Sequence, residues 1–201
     1  MIAPLIETSW DDGSASDIRL AVLLKTYNLP ATFYIPGNCE LEDHQIKVLA
    51  DDFEIGVHTT THPRDLKLLD KWELRYEIGE NRLWLERLLK RKINKFCYPR
   101  GRYNDAVVHE LENMGFESAR TTELGCIEKP QIKLRSGTTL HAYPRPEYEP
   151  LGGLVAAAQY YLDQARLKGD NGYFHFWGHG WEIDKFDLWE EVEDVFKLLA
   201  K

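Results

Sequence analysis

The chain has 201 residues, 43% of them hydrophobic, with six Trp, ten Tyr and eight Phe. That is enough apolar material for one sizeable core, so a single domain, 1–201, is expected and a disordered chain is excluded. The formal net charge of −8 argues against a nucleic-acid partner, because phosphate binding needs clustered Lys and Arg.

The first strand is expected at LIETSW (5–10), with the carboxylate pair Asp11–Asp12 at its mouth. ASDIRLAVLLKTYN (15–28) has helical periodicity, with Ser16 or Asp17 as cap and Ile18, Ala21, Val22 and Leu24 on or near one face. Pro30 ends it, and ATFYIP (31–36) is a short buried strand. EDHQIKVLA (42–50) is a second helix and FEIGVH (53–58) a third strand. A long helix runs from about Leu69 to Lys90, with Leu74, Ile78, Leu85 and Leu88 at helical spacing. The basic RLLKRK (87–92) suits the C-terminal end of its dipole. KFCYP (95–99) is a strand, and NDAVVHELENMG (104–115) is a helix capped by Asn104 or Asp105 and stopped by Gly115. ESART (117–121) is another strand. Thr122 to Pro150 is irregular, with one or two short strands including LHAYP (140–144). GLVAAAQYYLDQARLKG (153–169) is a helix and YFHFWGH (173–179) a strand; the last helix puts Leu188, Val192, Val195 and Leu199 on one stripe.

Strands alternating with helices predict parallel strands joined by helical crossovers, closed as a barrel or open and doubly wound. Both architectures place the working site at the C-terminal strand ends. The chemically capable residues fall there. Asp11 and Asp12 follow the first strand, His58 and His62 the third, PRGRYN (99–104) the fourth, and His179 ends the last.

HTTTHP sets His58 and His62 four apart. On a single helical turn they would project the same way and grip one metal ion; a chance pair in a loop is the alternative. A divalent site wants a further ligand, often a carboxylate, and Asp12 can supply it. Asp11 would then lie beside the ion's water, free to take its proton. The cation would offset the repulsion between the two aspartates. HFWGHGWEID puts His175, Trp177 and His179 on one strand face. His179, nearest the strand end, is the candidate acid, and His175 reads as a hydrogen-bonded core histidine. Trp177 either walls a small pocket or packs in the core. His44, His109 and His141 are expected on the surface or in loops.

TSWDDG, HTTTHP, YPRGRYN and a late strand ending in His, in that order from Thr8 to about Asp184, resemble the polysaccharide deacetylases, the carbohydrate esterases with a NodB-type homology domain. The resemblance implies a distorted (β/α)7 TIM-like barrel. It implies hydrolysis of an N-acetyl, less often O-acetyl, group on a sugar, assisted by one divalent ion, with zinc expected. By position it makes Asp11 the general base, Asp12, His58 and His62 the metal ligands, and His179 the general acid. It gives the N–H of Arg100 to the oxyanion and Trp177 to the acyl pocket. Many members carry an Arg that orients the base where this chain has Cys97; Arg100 or Arg102, from the same loop, would have to substitute. No segment clearly matches the family's Asp-containing support for the acid, leaving Glu182 and Arg120 as candidates. Trp10, Trp177, Trp181 and Tyr103 are candidates for stacking on sugar rings.

Two rival readings keep the scaffold: an amidohydrolase acting on a non-sugar amide, and a catalytically silent carbohydrate-binding module. Cys39, Cys97 and Cys126 are odd in number and widely spaced, which suits a reducing compartment better than a disulfide framework. MIAPLIETSW has no signal-peptide pattern, so a cytoplasmic location is expected unless a leader has been removed. No apolar run reaches bilayer length, so no membrane partner is expected. Oligomeric state is left open.

Overall fold

The computed structural model describes residues 3–200; residues 1, 2 and 201, the ends of the expected single domain, lie outside them. The chain runs β1 (Leu5–Asp11), α1 (Asp17–Thr26), β2 (Thr32–Ile35), α2 (Asp43–Asp52), β3 (Glu54–Val57) and α3 (Lys71–Leu89). It continues through β4 (Lys95–Cys97), α4 (Asp105–Asn113), β5 (Ser118–Arg120), β6 (Leu140–His141), α5 (Leu154–Leu167), β7 (Tyr173–His179), α6 (Gly180–Lys185) and α7 (Trp189–Leu199). The seven strands form one sheet in the order β5-β4-β3-β2-β1-β7-β6, and every pairing is parallel.

The sheet is curled. Arg120 on β5 reaches Asp11 on β1, although three strands separate β5 from β1 in the sheet. Only a sheet bent back on itself allows that contact. Its two ends are joined by one short segment: Ser136 bridges to Arg120 of β5, and Leu140–His141 pairs with Phe176–Trp177 of β7. The result is the distorted (β/α)7 barrel expected from the sequence.

The period of two in each strand separates two chemistries. Trp10, Phe33, Ile35, Ile55, Val57, Phe96, Phe174 and Phe176 face the helices and form the apolar core, all of them 1% exposed or less. The opposite face turns inward and is polar: Ser9 bonds His175, Tyr173 bonds Glu7, and Arg120 bonds Asp11 across the interior. Gly56 belongs to this inner face, where a Cβ would stand 2.4 Å from ring carbons of Tyr34. Glycine there lets the Tyr34 ring lie across the interior.

Some expectations need correcting. Trp10 does not reach a substrate: it is fully buried, with its ring edge-on to Phe176 and Phe196. Asp11 points into the barrel, so strand alternation turns its neighbour Trp10 into the helix layer. Val22 is 63% exposed; α1 instead buries Leu20 and Leu24 with its first residue Asp17. The short helix α6, directly after β7, was not anticipated. The stripe on α7 is as expected, with Val192, Val195 and Leu199 buried and Leu188 just before it. Among the described residues no helix is long and apolar enough to cross a membrane.

Candidate active site

Asp11, Asp12, His58, His62, Arg100 and His179 gather at one end of the barrel, each at or just after a strand's C-terminal end. Asp11 lies in register with Tyr34 of β2 and His179 of β7. The chain then turns sharply, and Asp12 takes left-handed backbone (φ 78°). Thr59 (φ 70°), His62 (φ 54°) and Arg100 (φ 56°) do the same. Such conformations cost a non-glycine residue about 1–3 kcal/mol each and persist where surrounding contacts impose them.

For the 58–62 segment those contacts come from α3. Asn81 Oδ1 accepts from the N–H of His58 at 3.0 Å. Glu77 accepts from the N–H groups of Thr60 (3.0 Å) and Thr61 (2.8 Å) and from the Thr61 hydroxyl (2.7 Å). Thr59 Oγ1 accepts from the N–H of His62 at 3.1 Å. The segment is therefore an irregular loop and not the helical turn the HxxxH spacing suggested. It still brings the two rings together, with centroids 4.8 Å apart. If Asp12, His58 and His62 hold a metal ion, Glu77→Ala should weaken its binding roughly 10- to 100-fold while leaving the fold intact, as a competitive chelator titration would measure. Unchanged affinity would count against the loop's dependence on Glu77.

Asp12 Oδ1 stands 3.6 Å from Nε2 of both His58 and His62. That is too long for hydrogen bonds, but ligands of a tetrahedral zinc, each about 2 Å from it, lie roughly 3.3 Å apart. His58 Nδ1 is 2.9 Å from the carbonyl of Cys97. A carbonyl only accepts, so Nδ1 carries a hydrogen, and Nε2 is the nitrogen left to face Asp12 and, once its proton is displaced, a cation. Burial opposes a charged His58, yet Cys97, Asp12 and Asp11 around it push its pKa well above the ordinary value. Burial pushes Asp12 up, but His58, His179 and Trp181 more than offset this and hold it well below the usual carboxylate range. The residues fit a divalent cation: acceptor atoms converge where the surroundings favour positive charge.

Two other groups of potential ligands converge nearby: Asp11, His58 and Cys97, and His141, His179 and Glu182. Neither suits a cation as well. In the first, the Arg120 guanidinium already bonds Asp11 and lies 2.8 Å from Cys97 Sγ. In the second, one glutamate oxygen is engaged by both imidazoles.

Asp11 is 2% exposed and Oδ1 has no hydrogen-bond partner, while Oδ2 takes the guanidinium of Arg120. Burial pushes its pKa up; Arg120, then His58 and His179, more than compensate, so it lies below the ordinary value. Arg120 is itself 1% exposed, between Trp177 (4.5 Å) and Tyr34 (5.5 Å). The cation beside Asp11 is thus neither Arg100 nor Arg102. Arg102 pairs with Asp65 at 3.5 Å, and Arg100 is exposed on the rim. Arg120 lies directly across from Cys97 in the β4–β5 register. The guanidinium arrives from the next strand, and the small thiol leaves it room.

His179 Nδ1 is 2.5 Å from Oε2 of Glu182 on α6, and its Nε2 lies 3.8 Å from Asp12 Oδ2. Burial lowers the pKa of His179, but Glu182, Asp11 and Asp12 raise it above the ordinary value overall. Burial also raises Glu182, yet its bonds from His141 and His179 bring it down to about 2. Trp181 at the rim is 39% exposed and donates its Nε1–H to Asp12 Oδ2 at 3.0 Å.

The remaining histidines divide. His175 is the core histidine expected, bonded to Ser9 (2.8 Å) and Tyr173 (2.6 Å) and held by burial down to about 3. His44 and His109 are exposed. His141 is not a surface residue: it is 6% exposed, bonds Glu182 at 2.9 Å and stacks on Trp177 at 4.0 Å. Trp177, 5% exposed, packs between His141 and the Arg120 guanidinium.

The fold and the site thus define a curled parallel barrel with a carboxylate–imidazole cluster at its C-terminal mouth. The sequence pattern described as polysaccharide deacetylase matches residues 3–119, well over half of the chain. The chain belongs to the polysaccharide deacetylase family. The match stops one residue short of Arg120 and does not reach His141, His179 or Glu182.

Among curated proteins, the chain is 26% identical over 130 residues to YxkH of Bacillus subtilis, provisionally named a polysaccharide deacetylase, covering 61% of this chain and 46% of that protein. It is 27% identical over 110 residues to the uncharacterized YlxY of the same organism, covering 54% and 34%. It thus spans less than half the length of either relative. A Mycobacterium smegmatis structure, provisionally described as a polysaccharide deacetylase, aligns with a TM-score of 0.74 at 15% identity, over 98% of this chain and 87% of that one. A family 4 carbohydrate esterase from Streptomyces lividans, in complex with acetate, aligns at 0.65 and 17% identity, over 100% and 90%. A family pseudoenzyme from Bacillus anthracis aligns at 0.60 and 17% identity, over 94% and 62%. At such identities the likeness is one of fold.

Proposed function

We propose that this chain is a divalent-metal-dependent hydrolase that removes an acetyl group, N-linked or less often O-linked, from a carbohydrate. One observation carries the reading: Asp12, His58 and His62 converge on one point, while the buried Asp11 beside them keeps one oxygen unpartnered and the other on Arg120. Two imidazoles and a carboxylate suit zinc among the common divalent ions. When bound, such an ion supplies Lewis acidity to the acyl oxygen and makes water a better nucleophile.

The chain's own groups do the rest. Asp11 Oδ1 is the acceptor for the proton of the attacking water, and Arg120 keeps that carboxylate ionised. The backbone N–H of Arg100, on the loop after β4, is the oxyanion donor that the family resemblance implies. His179 holds a proton at Nε2 and delivers it to the departing amine, which leaves poorly as an anion. Glu182 accepts from Nδ1 and so dedicates Nε2 to that delivery. Trp177 closes the acyl side of the floor, and Trp181 at the rim is available to a sugar ring. Arg102, tied to Asp65, is kept for contacts with the substrate beyond the acyl group.

The test is elemental analysis of the purified protein joined to an acetate-release screen over acetylated sugars and N-acetylglucosamine oligomers. The reading predicts about one divalent ion per chain and acetate release that a chelator abolishes. A metal-loaded protein that releases no acetate from any sugar contradicts it, and favours a non-sugar amide or a silent binding module.

A further inference from the structure

His141 is used by none of the steps above, yet it is built into the site. It ends β6 opposite Trp177 in the β6–β7 register. Its ring lies between two aromatic faces, Trp177 at 4.0 Å and 7° and Tyr143 at 5.5 Å and 13°. The charged groups around it are Glu182, Arg145 and His179. We propose that His141 is a positioning residue for His179, acting through Glu182, and that Arg145 fixes its tautomer. The inference rests on the functional reading above and assigns a role to a residue that reading does not need.

The argument is a count of donors and acceptors. Glu182 Oε2 lies 2.9 Å from His141 Nε2 and 2.5 Å from His179 Nδ1. An ionised carboxylate only accepts, so both nitrogens carry hydrogen. On the far side of the ring, His141 Nδ1 faces Arg145 Nη1 at 3.5 Å. A guanidinium only donates, so Nδ1 holds a lone pair and His141 is neutral. The direction of its pKa agrees: burial lowers it, and Glu182 offsets this only in part. The string Arg145, His141, Glu182, His179 therefore has one consistent assignment of hydrogens.

Its consequence is geometric. Among the described residues, these two imidazoles are the only side-chain partners of Glu182. With His141 donating from one side, Oε2 cannot swing away from His179. His179 then keeps Nδ1 on Glu182 and presents Nε2 to the cleft. Without His141, the glutamate on a short helix would be free to rotate, and the imidazole with it.

Two substitutions separate this role from simple packing. His141→Phe keeps a ring between Trp177 and Tyr143 but removes the N–H. His141→Gln removes the ring but returns an N–H donor. In the zinc-loaded protein, with N-acetylglucosamine oligomers as the probe, His141→Phe should lower kcat roughly 10-fold, with KM and metal content unchanged, as expected for losing a hydrogen bond to a charged group. His141→Gln should stay within about threefold of the unsubstituted protein, on the same argument. The reverse order, or full activity in His141→Phe, overturns the proposal. A second readout does not depend on turnover. The downfield proton resonance of His179 Nδ1–H should survive in His141→Gln and be lost or shifted in His141→Phe. If it is unchanged in His141→Phe, the proposal fails. Should the unsubstituted protein release no acetate, the functional reading fails, and this resonance alone decides the role of His141.

Discussion

Arg120→Met should reduce turnover at neutral pH by about 100-fold or more, the range expected when a general base is disabled, and should lower stability as well. Arg120 is the buried cation on Asp11. Removing one member of a buried ion pair leaves the other uncompensated, typically at a cost of about 3–5 kcal/mol. Asp11 would relieve that cost by binding a proton, because burial already pushes its pKa up and Arg120 is the first of the groups that hold it down. A protonated base is inactive. Since the variant's base has a raised pKa, it must be taken to higher pH to ionise, so activity should partly return as pH rises. Metal content should not change, because Arg120 touches none of Asp12, His58 or His62. Thermal denaturation and a pH–rate profile would check both halves. A variant with normal activity and melting temperature would show that Arg120 is not what holds the base.

Asp11→Asn and His58→Ala should fail in different ways. Asp11→Asn keeps the three converging ligands and should retain metal, but should lose about 10²- to 10⁴-fold in turnover. It also strands the Arg120 guanidinium beside a neutral amide, so its melting temperature should fall. His58→Ala removes a proposed ligand, 1% exposed at the centre of the cluster, and should lose both the metal and the activity. Elemental analysis with acetate-release assays on the two proteins separates these outcomes. Metal loss from Asp11→Asn, or metal retention in His58→Ala, would mean that the roles of the neighbouring carboxylate and imidazole are misassigned.

The order of strands and helices was legible because Pro and Gly punctuate it and because apolar periodicity changes between elements. The rule that chemistry gathers at C-terminal strand ends found Asp11, Asp12, His58, His62 and His179. The same rule, applied without exception, would have found two more. Arg120 ends the strand in ESART and His141 ends the short strand in LHAYP. The sequence offers Arg120 only as a support for the acid, because curvature across three intervening strands is not visible in a linear pattern. His141 reads from the sequence as a surface or loop residue because it lies in an irregular segment; the structure shows that it ends a strand of only two residues. The burial of Trp10 follows from strand alternation: if Asp11 faces the interior, its neighbour faces the helices.

The loop geometry of HTTTH was beyond sequence reading, since partners on α3 impose it. A trace of them is visible in hindsight. Glu77 and Asn81 lie one turn apart on the face that also carries Leu74, Ile78 and Leu85, and all are buried. Polar residues on the buried face of a helix need partners, and here the partners are the backbone of the histidine loop.

The measurement that bears most directly on the account is anomalous diffraction from crystals grown with zinc. One peak should lie within bonding distance, about 2 Å, of Asp12, His58 Nε2 and His62 Nε2, with Asp11 uncoordinated and bonded to Arg120. A peak on Glu182 and His141 instead, or density that draws Asp11 away from Arg120 and into the metal's ligand shell, would contradict it.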